Sequence, residues 1–175
     1  MDLSRKRDAI LGAGEVALRL CRQEDLLALE WSGAFSHHRE IIGEAFALQA
    51  AGEAWMLVAE HRGVPIGQAW LDLRPRAGAR GPMVWAVRVI AAYQGRGVGT
   101  RLIRRLEDMA ADAGHAWLEL GVEMDNPAAR AFYERLGWRM AGERRDTYSY
   151  VTPEGRAVVH HLSEWRMVRR LARGR

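Results

Sequence analysis

The chain has 175 residues, one cysteine and a formal net charge of +4. That length fits one domain whose core needs no disulfide or structural metal, and the lone Cys21 excludes an internal disulfide or a cysteine zinc cluster and reads as a small buried apolar residue. No stretch approaches the ~20 apolar residues of a membrane span, and the polar start Met1–Asp8, followed by a run broken at Gly12, Gly14 and Glu15, is a poor signal peptide, so a cytoplasmic location is expected.

Residues 1–14 read as a loose lead-in, 15–170 as the domain and 171–175 as a basic tail. Val16 to Cys21, apolar apart from Arg19, reads as a strand. Gln23-Glu24-Asp25 opens a predicted helix carrying Leu26, Leu27, Leu29 and Trp31. Gly33–His38 reads as a loop, and 39–51 as a second helix burying Ile41, Ile42, Ala45, Phe46 and Leu48. Trp55–Ala59 and Ile66–Leu73 form a hairpin that turns at Arg62-Gly63-Val64-Pro65. Two prolines and two glycines make 74–82 a loop. Val84–Ile90, apolar but for Arg88, reads as a strand buried on both faces.

A helix from about 97 to 113 follows, with Val98, Leu102, Ile103, Leu106, Met109 and Ala110 as its stripe and Gly114 as its stop. Trp117–Met124 is a strand. Asp125-Asn126-Pro127 then starts a helix that reaches Leu136, proline suiting its first turn. Strands at 144–151 and 156–168, joined by Thr152-Pro153-Glu154-Gly155, complete the order βααβββαβαββ. The crossover over 84–124 requires a parallel pair and the hairpins antiparallel ones. The expected class is a single-domain α/β fold with a mixed, mostly antiparallel sheet and helices on both faces.

Lys6 is the only lysine; every other basic side chain is arginine. The densest cluster, Arg166, Arg169, Arg170, Arg173 and Arg175, reads as a solvated tail and not as a nucleic-acid patch. A few arginines around one cleft suffice to attract an anionic small molecule. Between a strand and an amphipathic helix, Gln94-Gly95-Arg96-Gly97-Val98-Gly99-Thr100 is built for that task. The first helical turn leaves N–H groups without partners at the positive end of the dipole, and glycines let a diphosphate approach them. No Lys-Ser/Thr pair follows, which excludes a Walker loop, and Thr100 stands where a dinucleotide G-x-G-x-x-G needs its last glycine.

Two motifs resemble the GNAT (GCN5-related N-acetyltransferase) superfamily. The segment Val87–Leu102 is similar to its pyrophosphate signature, Arg/Gln-x-x-Gly-x-Gly/Ala, after a strand ending in valine. Asn126–Trp138 is similar to its Asn-x-x-Ala-x-x-Phe-Tyr-x-x-x-Gly-Phe helix, Trp138 replacing phenylalanine. The resemblance implies acetyl-CoA as cosubstrate and an amine acceptor, with no metal, nucleic-acid or membrane partner, in a monomer or homodimer. It implies that main-chain groups of Val87 and Val89 pair with the pantetheine arm. Amides of Gln94, Gly95, Arg96, Gly97, Val98, Gly99 and Thr100 would hold the pyrophosphate. Asn126 would meet the pantetheine region, and Tyr133 would sit at the sulfur as general acid. The N–H of Val89 would stabilise the thioester oxygen.

A general base is harder to place. Some relatives carry a Glu five residues before the helix-starting Asn, and here that position is Gly121. Strand alternation puts Glu119 and Glu123 on the same face and Leu118, Leu120, Val122 and Met124 on the other. Glu119 is therefore the expected base, and Arg88 its expected ion-pair partner, or else a binder of a substrate carboxylate. Trp31, Phe35, Trp70, Trp85 and Arg88 are expected to line the acceptor pocket, with His37, His38 and Asp72 nearby. His37-His38 and His160-His161 read as surface residues and not as metal ligands. The expected acceptor is a small-molecule primary amine; a protein N-terminus or lysine, or a non-catalytic acyl-CoA sensor, are the alternatives.

Overall fold

The computed structural model describes residues 15–152 and 154–172; the lead-in 1–14, Pro153 of the last turn and Arg173 and Arg175 of the tail lie outside them. Seven strands form one sheet: β1 Val16–Leu20, β2 Ala54–His61, β3 Val64–Asp72, β4 Met83–Val89, β5 Trp117–Glu123, β6 Arg139–Val151 and β7 Ala157–Arg170. Their spatial order is β1-β2-β3-β4-β5-β7-β6. Every pair is antiparallel except β4 with β5, as a strand–helix–strand crossover dictates.

Helices α2 (Val98–Asp112) and α3 (Pro127–Arg135) cover one face. Leu102, Ile103 and Leu106 of α2 share the larger core cluster with Leu57, Leu71, Leu118 and Leu120 of the sheet and Tyr133 of α3. Helix α1 (Arg39–Ala50) covers the opposite face, where Ile42 and Ala45 join Cys21, Leu29, Met56, Val58 and Trp70 in a second cluster. Both faces are thus sealed by helices, and Cys21 is buried as expected.

The helix expected from Gln23 does not form. Two isolated 3-10 turns, Gln23–Asp25 and Ala28–Glu30, stand in its place. The cause is local. The Asp25 carboxylate accepts the Arg22 N–H at 2.7 Å and the Arg19 guanidinium at 2.6 and 2.9 Å, which folds the chain back on itself. Trp31 and Ser32 then adopt left-handed φ of 50° and 58°, which no right-handed helix tolerates. Leu29 is buried and Leu27 exposed, so the leucines never formed one stripe. A bidentate Arg39–Glu30 pair at 2.6 and 2.9 Å ties this segment to α1.

Two further expectations change. β6 starts at Arg139, five residues earlier than the sequence suggested, and crosses a bulge between Met140 and Gly142. Leu171, assigned to the tail, is buried and donates its N–H to the Ala116 carbonyl at 2.9 Å.

Candidate active site

Strand β4 was expected to be buried on both faces, yet only Val84 is; its other residues are half-exposed. The reason is a gap in the sheet. β4 and β5 pair only at Met83–Glu119 and Val84–Leu120, and beyond that vertex they diverge. A bulge in β4 turns Ala86 to φ 50°, and the fully buried Gln68 side chain donates to the Ala86 carbonyl at 3.1 Å, holding the bend. Ile90 donates its N–H to the Ile66 carbonyl of β3 at 3.0 Å. Antiparallel alternation then turns the N–H of Val89 away from β3, into the gap.

The loop after β4 ends at that gap. Gly95 and Gly97 hold φ of 70° and 81°, and Gly97 is the N-cap of α2 without any side-chain cap. Among the described residues, no N–H from Gly95 to Thr100 donates to a protein acceptor; the first that does is Arg101, to Gly97 at 3.0 Å. Six consecutive amides at a helix start therefore face outward, and a Cβ on Gly95 would meet nothing within 4 Å. Gln94 behaves differently. Its N–H bonds the Ala91 carbonyl at 3.2 Å and its side-chain amide the Val89 carbonyl at 2.8 Å. These bonds shape the turn. Arg96 is exposed, with its guanidinium 5.7 Å from the Tyr93 ring centre.

Helix α3 closes the same end. A Cβ on Gly99 would stand 3.5 Å from Phe132 Cζ and 3.9 Å from Val89 Cγ2, so the start of α2, the end of β4 and α3 meet there. Asn126 Oδ1 accepts the Ala129 N–H at 3.0 Å as the N-cap of α3. Trp138, in the phenylalanine position of the second motif, donates its indole N–H to Glu107 of α2 at 3.0 Å, a buried bond that ties the chain just after α3 to α2. Tyr133 is buried in the larger core cluster. Burial pushes the phenol above its ordinary range, so it stays protonated at neutral pH.

The other face of the sheet carries the expected acceptor residues. Trp70 and Trp85 meet edge-to-face with ring centres 4.9 Å apart. The Arg88 guanidinium lies 3.7 Å above the Phe35 ring, and Phe35 stacks on His38 at 5.5 Å. Burial first, then His37 and Arg88, holds the His38 pKa down to about 4, which leaves its ring neutral at pH 7. The indole nitrogens of Trp31, Trp70 and Trp85 are all buried, with no hydrogen-bond partner among the described residues. Asp72 is engaged by Arg74 at 2.8 and 3.0 Å.

Glu119 stands apart from both groups. It lies opposite Met83 at the closed end of the β4–β5 pairing, and Oε1 accepts the Arg80 N–H at 2.5 Å. Its ion-pair partner is Arg76 at 4.0 Å, and not Arg88 as expected. Five residues of strand separate Met83 from Arg88, about 3.3 Å each. Glu119 thus pins the 74–82 loop, and the charge that the loop's arginines bring accounts for a buried carboxylate there. One carboxylate that the sequence reading passed over reaches the gap: Glu164 of β7, held by Arg144 of β6 at 2.5 and 3.0 Å. Only its isolation as an acid among Trp165, Arg166, Arg169 and Arg170 could have flagged it.

Residues 21–138 match the acetyltransferase (GNAT) family. The chain belongs to that family. Its mixed sheet is the fold of solved acetyltransferases. Among curated relatives it is 36% identical over 99 residues to the 5-NmdU N-acetyltransferase of Pseudomonas phage PaMx11, covering 56% of this chain and 67% of that one. It is 40% identical over 89 residues to the N-alpha-acetyltransferase RimI of Mycobacterium tuberculosis, covering 49% and 52%. The chain thus spans between about half and two thirds of these relatives. The solved Salmonella typhimurium protein yncA, with its cofactor acetyl-CoA, superimposes with a TM-score of 0.67 at 23% identity over 93% of this chain and 97% of that one. No helix of the described residues is long and apolar enough to cross a membrane.

Proposed function

We propose that this chain, in the cytoplasm, moves the acetyl group of acetyl-CoA onto the primary amine of a small molecule by direct attack, with Tyr133 as general acid. The observation that carries the reading is the run of six unpartnered amides, Gly95 to Thr100, beside the gap in the sheet. A diphosphate satisfies those amides and the helix dipole together, and Arg96 adds charge. Acetyl-CoA supplies the activated acyl group and a thiol that leaves. Main-chain groups of Val87 and Val89 pair with its arm along the open edge of β4, and Asn126 borders the arm from α3. The Val89 N–H, turned into the gap, stabilises negative charge as it builds on the carbonyl oxygen. Tyr133 then gives its proton to the departing sulfur.

Trp31, Phe35, Trp70, Trp85 and Arg88 form the acceptor side. Phe35 and the indoles narrow it, which favours a compact acceptor over an extended peptide. The likeness to RimI supports a second reading, in which the acceptor is a protein N-terminus. One experiment tests both. Calorimetry and hydrogen exchange with CoA should show binding with protection at residues 95–100. Thiol release is then followed across amino acids, polyamines, aminoglycosides and peptides. CoA binding without protection at that loop overturns the site, and turnover of peptides alone overturns the small-molecule acceptor.

A further inference from the structure

An amine reaches the site as an ammonium ion and must lose a proton before it can attack, and the acceptor side of the gap offers few groups to take it. Glu119 is committed to Arg80 and Arg76. His38 is neutral at pH 7, but its ring is packed against Phe35 and His37. Glu123 lies exposed at the outer end of β5.

Gly121 marks a different solution. It is the first residue of β5 beyond the vertex where pairing with β4 stops. Its neighbours Leu120 and Val122 are buried on the α2–α3 face, so position 121 faces the acceptor side, one step past the Val84–Leu120 pair and level with Trp85. No side chain grows from it, yet the space is filled. The carboxyl carbon and both oxygens of Glu164 lie within 2.7 Å of the place a Cβ on Gly121 would take. Glu164 starts from β7, opposite Glu123, and leans back across β5 to reach it. Both Arg144 contacts fall on Oε2, at 2.5 and 3.0 Å. Oε1 has no hydrogen bond among the described residues, although the side chain is only 11% exposed.

We infer that Glu164 is the group that binds the acceptor's ammonium and removes its proton, its carboxylate delivered from β7 into the place that Gly121 leaves open. The inference rests on the acetyltransferase reading above. Arg144 fixes one oxygen; the other takes an ammonium proton, directly or through one water, and passes it to solvent. The neutral nitrogen then bonds to the acyl carbon and the carbon–sulfur bond breaks. Tyr133 gives its proton to the sulfur and is restored by the second proton that the nitrogen sheds. One proton is released in all. Acid and base stand on opposite faces of the gap, Tyr133 with the α2–α3 core and Glu164 on the acceptor side, which suits attack from one face and departure toward the other.

Four variants test this, Glu164→Gln, Gly121→Ala, Glu164→Ala and the exchange Glu164→Ala with Gly121→Glu, each measured for turnover, CoA affinity and melting temperature. Glu164→Gln should lower kcat/KM for the amine by about 10²–10⁴-fold with CoA affinity unchanged. Gly121→Ala cannot keep the carboxylate where it is and should lose activity similarly while Glu164 remains. The exchange, which returns a carboxylate from β5 itself, should recover at least tenfold over Glu164→Ala alone, a gain that a merely structural ion pair would not give. A wild type that binds CoA and turns over an amine, with Glu164→Gln within threefold of it, overturns the role of Glu164 alone. A wild type that neither protects residues 95–100 on CoA binding nor turns over any amine overturns the acetyltransferase reading and this inference with it.

Discussion

Tyr133→Phe separates chemistry from structure more cleanly than any other change at this site. The ring stays, with its packing on α2 and the sheet; one oxygen goes. The ring keeps its place in the larger core cluster, so the change leaves no cavity in it. Folding stability should hold, and CoA affinity should hold, because the cradle lies on another element. Turnover should not hold. A positioned general acid is worth about 10²–10⁴-fold, or about 2.7–5.5 kcal/mol of barrier at 1.36 kcal/mol per tenfold. The assay is thiol release at saturating acetyl-CoA and amine, beside a melting curve and a CoA titration on the same preparation. A kcat within threefold of wild type at unchanged melting temperature would refute the acid role. The raised phenol pKa adds a sign check. The folded chain holds this proton more tightly than the unfolded chain, so Tyr133 costs stability only as pH rises above the ordinary tyrosine value near 10; wild type should lose more melting temperature there than Tyr133→Phe.

Gly97→Ala forces a Cβ into a left-handed cap at φ 81°, a strain of about 1–2 kcal/mol, and should weaken CoA about tenfold in a calorimetric titration while the sheet stays intact. Trp138→Phe restores the residue more usual in the second motif but strips Glu107 of its indole donor; a buried acceptor left short costs about 1–3 kcal/mol, read as a lower urea midpoint. His38 is held neutral in the fold down to a pKa of about 4 while the unfolded ring protonates near 6.5. The unfolded state then binds the extra proton, and stability falls as pH drops through that window; His38→Gln should lose less melting temperature than wild type between pH 6.5 and 4.

Period and punctuation made most of this fold legible. Helix α2 shows its stripe from Val98 to Ala110, and the alternation in β5 correctly separates Leu118, Leu120 and Val122 from Glu119. The glycines of the cradle announce a turn that only such residues can make. What stayed hidden depended on side-chain contacts that no periodicity records, some local and some between distant parts of the chain. The segment after Gln23 looks helical until Asp25 finds Arg19 and the backbone reverses at Trp31. Glu119 looks like a base until Arg80, 39 residues earlier, occupies it. Glu164 sits 43 positions after Gly121 in the sequence, and nothing in either neighbourhood says that one fills the other's place.

The two-rung junction between β4 and β5 has a mechanical consequence. On one side of it lie β1 to β4, on the other β5, β7 and β6, and the backbone bonding that joins these half-sheets is a short seam at one end. An extended arm lying along the divergent strands would rivet the halves along the rest of their length. Loading of the donor would then do more than fill a slot: it would complete the sheet, and the empty molecule would be the more compliant of the two, able to yield about that seam while the incoming molecule threads between its edges.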